Sequence, residues 1–551
     1  MFFVFPKGVV MHFRKTFRLL CRLCAVTAVF SLTLLVSRPA RGTDLTDVAT
    51  MLEKGNPYDA RFSVGFQTTL TNAALNREYM GNNKGIEVVR DLIYKQTKMT
   101  LNLRAEFAIF KNLALYVGLP IVLKQQNTFK FASGSRYPQY AGEQDCRDDH
   151  PNDPWVCNPD GVNARNSRTV QDGIAAGLSG IQYVPADPND PTSMPALDLG
   201  PYNVGPGQAG PRTLFKGPSR SGLDQLHLGL HWLVYGFKQA DDPTKPNWRI
   251  GAEFRLSVGK IMDFKRNSAG DPTPCGSATG SSFTFNCRPQ LNDAVSRGVH
   301  EVRFYTSVSK RVWLLDSFFH LYFQMPFAYR SGSFYSSDYN FSGSWGEEDT
   351  ATVNKAPKQA GIRFGTDVVA WEQPQNHMRF TINVAGMIDY RFPGRDYSEA
   401  YEILAGSPVL NMNCNASNTS ALYSQLCQDP NVRKSLGYYP GVTDVQDYAI
   451  FGGQIGFSFL IYKYLLLNFS YTLMHRQEHF LTLTDAGEDT GTAAANNGVC
   501  TNPNGCADGR VNIPSKEQNP WHRPAVDTPG HRYRIQEMLV HQIYLNLQAR
   551  F

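Results

Sequence analysis

Beyond residue 42 the chain contains no run of the ~18 apolar residues that a membrane-spanning helix requires, which excludes a helical membrane protein. It also lacks a run of Lys or Arg, and its net charge is only +6 over 551 residues, so nucleic acid is not expected as a partner. No Cys-x-x-Cys pair follows residue 42, and no His companions recur beside the cysteines, which leaves no recognisable metal site. The acidic stretch Asp145, Asp148, Asp149, Asp153 and Asp160 lacks the spacing of an EF-hand. Neither Gly-x-Ser-x-Gly nor a phosphate-cradling glycine loop falls on a regular segment, so no catalytic motif stands out. No cofactor and no enzymatic activity are expected.

The aromatics, by contrast, are plentiful: 12% of the chain, including 26 Tyr and 34 Phe. A mean hydropathy of −0.33 resembles that of a soluble protein. Strands that alternate apolar and polar residues average to such a value whatever surrounds them.

The N-terminus reads as an export signal. Arg14, Lys15, Arg18 and Arg22 form a basic region, Leu23 to Val36 an apolar one, and Ala40-Arg41-Gly42 supplies small residues for cleavage before Thr43. Met11 is an alternative start. In residues 43–59, Leu45, Val48, Met51 and Leu52 fall at helical spacing, Asp44 can cap the start and Gly55 end it, which predicts a short periplasmic helix, either a passive stub or a cover for a lumen mouth.

Eight cysteines follow the signal: Cys146 and Cys157, Cys275 and Cys287, Cys414 and Cys427, Cys500 and Cys506. Each is close to one other within a turn-rich segment, and four local disulfides are the expectation, which implies an oxidising compartment. Each such bridge would contribute ~3 kcal/mol on the chain-entropy model.

From residue 60 the chain alternates between stretches of strict period two and long polar insertions. Met378, Phe380, Ile382, Val384, Ile388, Tyr390 and Phe392 share one face, and Arg379, Thr381, Asn383, Asp389 and Arg391 the other. The same test predicts twelve strands, near 60–71, 97–110, 113–131, 223–238, 248–262 and 298–312, then 316–329, 359–373, 377–392, 447–462, 465–480 and 533–551. Short joins alternate with long ones at 72–96, 132–222, 263–297, 330–358, 393–446 and 481–532, and every cysteine pair lies in a long one. Short turns on one side, long loops on the other and an even strand count predict an all-β fold: a transmembrane antiparallel up-and-down barrel over 60–551. Trp248, Trp313, Tyr390, Phe392, Tyr464 and Tyr533 at strand ends are candidate interfacial anchors.

The last strand carries Ile543, Leu545, Leu547, Ala549 and Phe551 on its apolar face, and Phe551 is the final residue. This resembles the terminal aromatic signal of Gram-negative outer-membrane β-barrel proteins. The resemblance implies location in outer-membrane lipid and insertion by the barrel-assembly machinery. Outer-membrane phospholipases resemble this architecture too, but their His and Ser stand two apart on one strand, and no predicted strand here carries His-x-Ser.

If the apolar faces meet lipid, the opposite faces line a lumen. The candidate lining residues are Arg104, Glu106, Arg249, Glu253, Arg255, Glu301, Arg303, Arg363, Asp367, Arg379, Asp389 and Arg391, with Lys98, Arg476, His227, His231 and His320 on the same faces. His227 and His231 would stand ~13 Å apart along a strand, too far for one ion. The basic excess suits a channel for small polar, including anionic, solutes. Mutual neutralisation suits a closed barrel that displays its loops for adhesion or partner binding. A hydrolase is the third reading.

Overall fold

A computed structural model describes residues 46, 48–49, 59–81, 85–110, 112–132, 167–175, 182–187, 190–198, 213–235, 246–262, 264–265, 277–279, 282–284, 290–291, 293–335, 354–405, 407, 410, 439–462, 464–487, 519 and 521–551. Twelve long strands form the wall: β1 (Ala60–Gly81), β2 (Gly85–Phe110), β3 (Leu113–Phe131), β4 (Gln225–Tyr235), β5 (Asn247–Ser257) and β6 (Val299–Val312). They continue as β7 (Leu315–Tyr329), β8 (Gln359–Gln373), β9 (Met378–Arg391), β10 (Tyr448–Ile461), β11 (Leu465–Arg476) and β12 (Tyr533–Arg550). Each pairs antiparallel with the next, and β1 pairs with β12, so the sheet closes on itself. Closure leaves no strand edge with unpaired backbone groups, the condition for a sheet to cross lipid. The C-terminal residue completes the seam, where Phe551 N–H donates to Ala60 O at 2.9 Å and the Phe551 ring meets Phe62 at 5.9 Å.

Alternation sets the two surfaces. Phe62, Val64, Phe66, Phe107, Leu115, Phe254, Phe304, Val384, Ile455, Leu467 and Leu545 are exposed on the outside, a continuous apolar belt that water would not tolerate. Trp248, Trp313, Tyr390, Phe392 and Tyr464 are also exposed at strand ends, as interfacial anchors require. Tyr533 departs from that expectation. It is fully buried, with its hydroxyl 2.8 Å from Thr169 Oγ1. The short turns hold a second surprise: Trp313, His377 and Tyr462 all adopt positive φ where Gly or Asn is the usual choice. Trp313 and Tyr462 are exposed there, so each trades backbone strain for an aromatic at the membrane surface.

The segment 72–96 is not the loop that its sequence predicts. Strands β1 and β2 run on past residue 71 as a paired ribbon to Gly81 and Gly85, with a register shift between Leu75 and Asn76 that leaves Asp91 as the extra residue. Alternation resumes out of phase after that bulge, which disguises the strand. The β1–β2 ribbon thus rises above the belt, and its inward Leu75, Leu92 and Tyr94 seed a buried core at the external end. Among the remaining strands the ends shift by a few residues, most at β4, β5 and β11.

The four expected disulfides fall elsewhere in the chain. Cys146 and Cys157, Cys275 and Cys287, Cys414 and Cys427, and Cys500 and Cys506 all lie outside the described residues. The structure therefore neither supports nor contradicts these four bridges, and the pairing stays an expectation from sequence.

Candidate functional site in the barrel interior

Strand register fixes which charges share the inner face. Arg255 stands opposite both His227 and Glu301, and Glu253 opposite both Gly229 and Arg303. Arg363 pairs across to His320, Asp367 to Asn383, Asp389 to Gly361, Arg391 to Gln359 and Arg379 to Glu372. All twelve candidate wall residues fall on the face opposite the exposed belt. What the sequence could not supply is how they contact one another.

The recurring unit is a tyrosine laid flat across a glycine of the next strand. Tyr116 covers Gly229, Tyr305 covers Gly251 and Tyr322 covers Gly361, and a Cβ on any of these glycines would collide with the ring. Tyr544 covers Gly65 in the same way across the closing seam. On three of these rings an arginine stacks: Arg104 lies 3.8 Å from the Tyr116 centroid, Arg303 4.4 Å from Tyr322 and Arg249 5.5 Å from Tyr305. Cation–π contact holds each guanidinium flat to the wall. The hydroxyls then reach one strand further. Tyr116 donates to Glu253 at 2.5 Å and Tyr322 to Asp389 at 2.7 Å, while Tyr305 OH sits 3.3 Å from His231 Nδ1.

The acids are satisfied in the same lateral fashion. Glu106 receives Arg104 at 3.1 Å and lies 3.1 Å from His231 Nε2. Glu253 receives Arg255 Nε at 2.5 Å, with His227 4.0 Å away. Glu301 accepts from Gln225 at 3.0 Å and Gln324 at 2.9 Å and pairs with Arg297 at 2.7 Å. Two arginines bond to neutral partners instead: Arg303 to Gln324 at 3.0 Å, and Arg363 to Gln454. Every one of these contacts joins strands at most two apart, whereas diametric opposites in a ring of twelve are six apart. The charges occupy the arc from β2 to β9. At mid-height the arc from β10 through β12 to β1 is neutral, carrying Gln454, Gly456, Ser458, Ser470, Thr472, Gln542, Tyr544, Gln67 and Thr69.

Both ends are narrowed by chain that the alternation pattern does not reveal. At the external end, among the described residues, three short helices, α1 (Arg168–Gln171), α2 (Tyr401–Leu404) and α3 (Pro524–Asp527), fold in from the long connections. Ile403 and Leu404 pack with Leu75, Leu92, Phe129, Ile174 and Val526, while Tyr401 packs with Val299, Tyr335 and Trp521. Helix α2 therefore bridges the β1–β3 side and the β6 side. Its Glu402 is 2% exposed and paired at 3.1 Å with Arg220, 1% exposed. Burial pushes the Glu402 carboxyl up, and the neighbouring Arg220 opposes the shift. Arg391 and Arg476, expected as lumen residues, also serve this cap, binding Asp396 and Glu399.

At the periplasmic end Thr46, Val48 and Ala49 contact the inner wall. Ala49 N–H donates to Glu106 Oε1 at 2.9 Å, Arg61 donates to Val48 O at 2.8 Å, and Thr46 Oγ1 lies 2.6 Å from Ser309 Oγ. Val48 and Ala49 are buried against Ala114, with Ala108 and Leu233 beside them. Thr46, Val48 and Ala49 thus contact the wall at this mouth, with Val48 and Ala49 not helical; the rest of residues 43–58 lies outside the described residues.

A closed antiparallel barrel with an apolar belt outside, a charged and polar wall inside, short turns at one end and long connections at the other defines an outer-membrane β-barrel of the Gram-negative type. No protein-family model and no curated protein matches the sequence. Among solved structures, the COG4313 outer membrane channel from Pseudomonas putida F1 aligns over 94% of this chain and 100% of that one, at 7% identity and a TM-score of 0.33. A Pseudomonas aeruginosa FadL homologue aligns over 90% of each chain, at 8% identity and a TM-score of 0.26. The outer membrane protease OmpT from Escherichia coli aligns over 90% of this chain and 96% of that one, at 7% identity and a TM-score of 0.22. None of these likenesses is close enough to transfer an activity.

Proposed function

We propose that the chain is a passive outer-membrane channel for small polar solutes, with a mild preference for anions and no catalytic role. The observation that carries this reading is the lateral folding of the inner charges. Rings and guanidinium groups lie back on the wall instead of crossing it, so the charged arc faces a neutral, polar arc in which Tyr544 too lies flat, across Gly65. Thr381 Oγ1, Asn468 Oδ1, Asn546 Oδ1 and Arg363 Nε are buried on the inner wall without a hydrogen-bond partner among the described residues. Polar atoms so placed cost several kcal/mol if dry, so water in the lumen is the economical state. Arg303 and Arg363, bonded to neutral groups, supply the anion preference. Insertion by the barrel-assembly machinery, through the Phe551 terminus, and disulfide-pinned external loops belong to the same proposal.

The test is solute efflux from vesicles that contain the refolded protein. Small anions and small neutral sugars should leave faster than from empty vesicles, and small anions faster than cations of equal size. Efflux no faster than from empty vesicles would reject the channel. A second reading, a closed barrel displaying its loops, is favoured by the buried α2 bridge at the external mouth, and it forbids efflux even when that bridge is loosened.

A further inference from the structure

We infer that the outer face of β2, β3 and the adjoining short strand Thr213–Lys216 is a binding site for phosphomonoester-bearing lipid headgroups of the outer leaflet. Four lysines carry the inference: Lys95, Lys124, Lys130 and Lys216. Register places them together. Lys95 stands opposite Thr128, which on its other side stands opposite Lys216, and Lys130 stands opposite Ile93, two residues from Lys95. Lys124 stands opposite Met99, lower on the same pair of strands. Adjacent strands lie ~4.8 Å apart, so Lys95 and Lys216 are separated by about 10 Å at the backbone.

The facing of these residues follows from their neighbours. Tyr94, Asn127, Phe129 and Phe131 are buried on the inner side, so Lys95, Thr128 and Lys130 alternate outward. Lys95, Lys124 and Lys216 are exposed, and none of the four has an ion pair among the described residues. This contrasts with the external end elsewhere, where Arg90 meets Glu537 and Arg534 meets Glu478. Asp91, the acid nearest in sequence, is buried and held by the backbone N–H groups of Arg168 and Thr169.

Height selects the partner. The apolar outward run of β2 goes from Phe107 to Met99, about 27 Å of strand, or roughly 21 Å of bilayer once a tilt near 40° is allowed for. On β3 it ends at the exposed Leu123. The lysines begin at that level, on the external side, where headgroup phosphates lie. Lysine binds phosphate as a point charge, and a phosphomonoester carries up to two negative charges. A cluster of cations with no acid among the described residues beside it would repel itself unless anions sat upon it.

The experiment compares the full-length barrel with a fourfold variant carrying Lys95→Ala, Lys124→Ala, Lys130→Ala and Lys216→Ala. Thermal unfolding of each is followed in zwitterionic micelles as phosphatidic acid is added. Phosphatidylcholine and inorganic phosphate are the controls. Phosphatidic acid should raise the unfolding temperature of the parent, with apparent binding at least tenfold weaker in the variant. A fourfold Lys→Arg variant, which keeps charge, should behave as the parent. Equal stabilisation of parent and alanine variant would overturn the site, as would no stabilisation of the parent. Equal stabilisation by inorganic phosphate would overturn the assignment to lipid.

Discussion

The ring of Tyr116 fills the space that a side chain at Gly229 would need, and from that position its hydroxyl donates to Glu253 at 2.5 Å while Arg104 stacks on its face at 3.8 Å. One missing side chain on β4 thus positions an acid on β5 and a base on β2. Gly229→Ala should displace the ring and lower barrel stability by about 1–3 kcal/mol, the usual cost of overpacking. Gly453→Ala, where an added Cβ meets nothing within 4 Å, is the control and should be near neutral. Denaturant unfolding in micelles reads both.

Arg303 and Arg363 hydrogen-bond to Gln324 and Gln454, so their charge is not cancelled by the bonds they make. Replacing both with Gln should reduce the anion preference several-fold, and replacing both with Glu should invert it. The reversal potential across a salt gradient gives the answer. Changing Arg255, which is paired at 2.5 Å with Glu253, should disturb folding more than selectivity.

Alternation and loop parity made the twelve strands and their inner charges readable, because period two is imposed by the backbone at every residue. Two kinds of feature escaped. The β1–β2 ribbon was hidden because its inward positions turn from polar to apolar at Ala73, Leu75, Leu92 and Tyr94, and because the bulge at Asp91 then reverses the phase of the pattern toward the hairpin tip. The cap was hidden because Ile403, Leu404, Tyr439 and Trp521 sit in irregular connections, where no period marks a buried face. Tyrosine over glycine is a cross-strand relation, and it needs the register before it can be seen.

The cap's strongest polar link is Arg220–Glu402. Arg220→Met would leave Glu402 buried without its cation, which costs on the order of 3–5 kcal/mol for a buried pair broken on one side. The barrel, held by its own strand pairs, should remain folded. Helix α2 should loosen, seen as faster amide exchange at residues 401–404 and as a larger conductance.

Cap stability should also depend on pH through Asp527. Burial pushes its carboxyl up from 3.8 to about 7, although the N–H groups of Arg523 and Thr484 favour the ionised form. The packed cap holds this proton more tightly than an opened one. Its stability is therefore full below pH ~4 and declines as pH rises to about 7, by about 1.4 kcal/mol per unit at most. Protection factors at α3, exchange rates divided into the intrinsic rate at each pH, should be larger at pH 5 than at pH 8, and Asp527→Asn should flatten the difference.

At the other end, Val48→Asp would place a charge among Ala114, Ala108 and Leu233. The segment should leave the mouth, and protease should cleave it faster while the barrel itself stays resistant.

The most direct measurement is single-channel conductance of the refolded protein in a planar bilayer, for the parent and for Arg220→Met. A passive channel gives stable steps with an anion-leaning reversal potential, larger in the variant. A silent bilayer for both, with heat-modifiable migration showing that each is folded, would contradict the channel and leave a closed barrel that displays its loops.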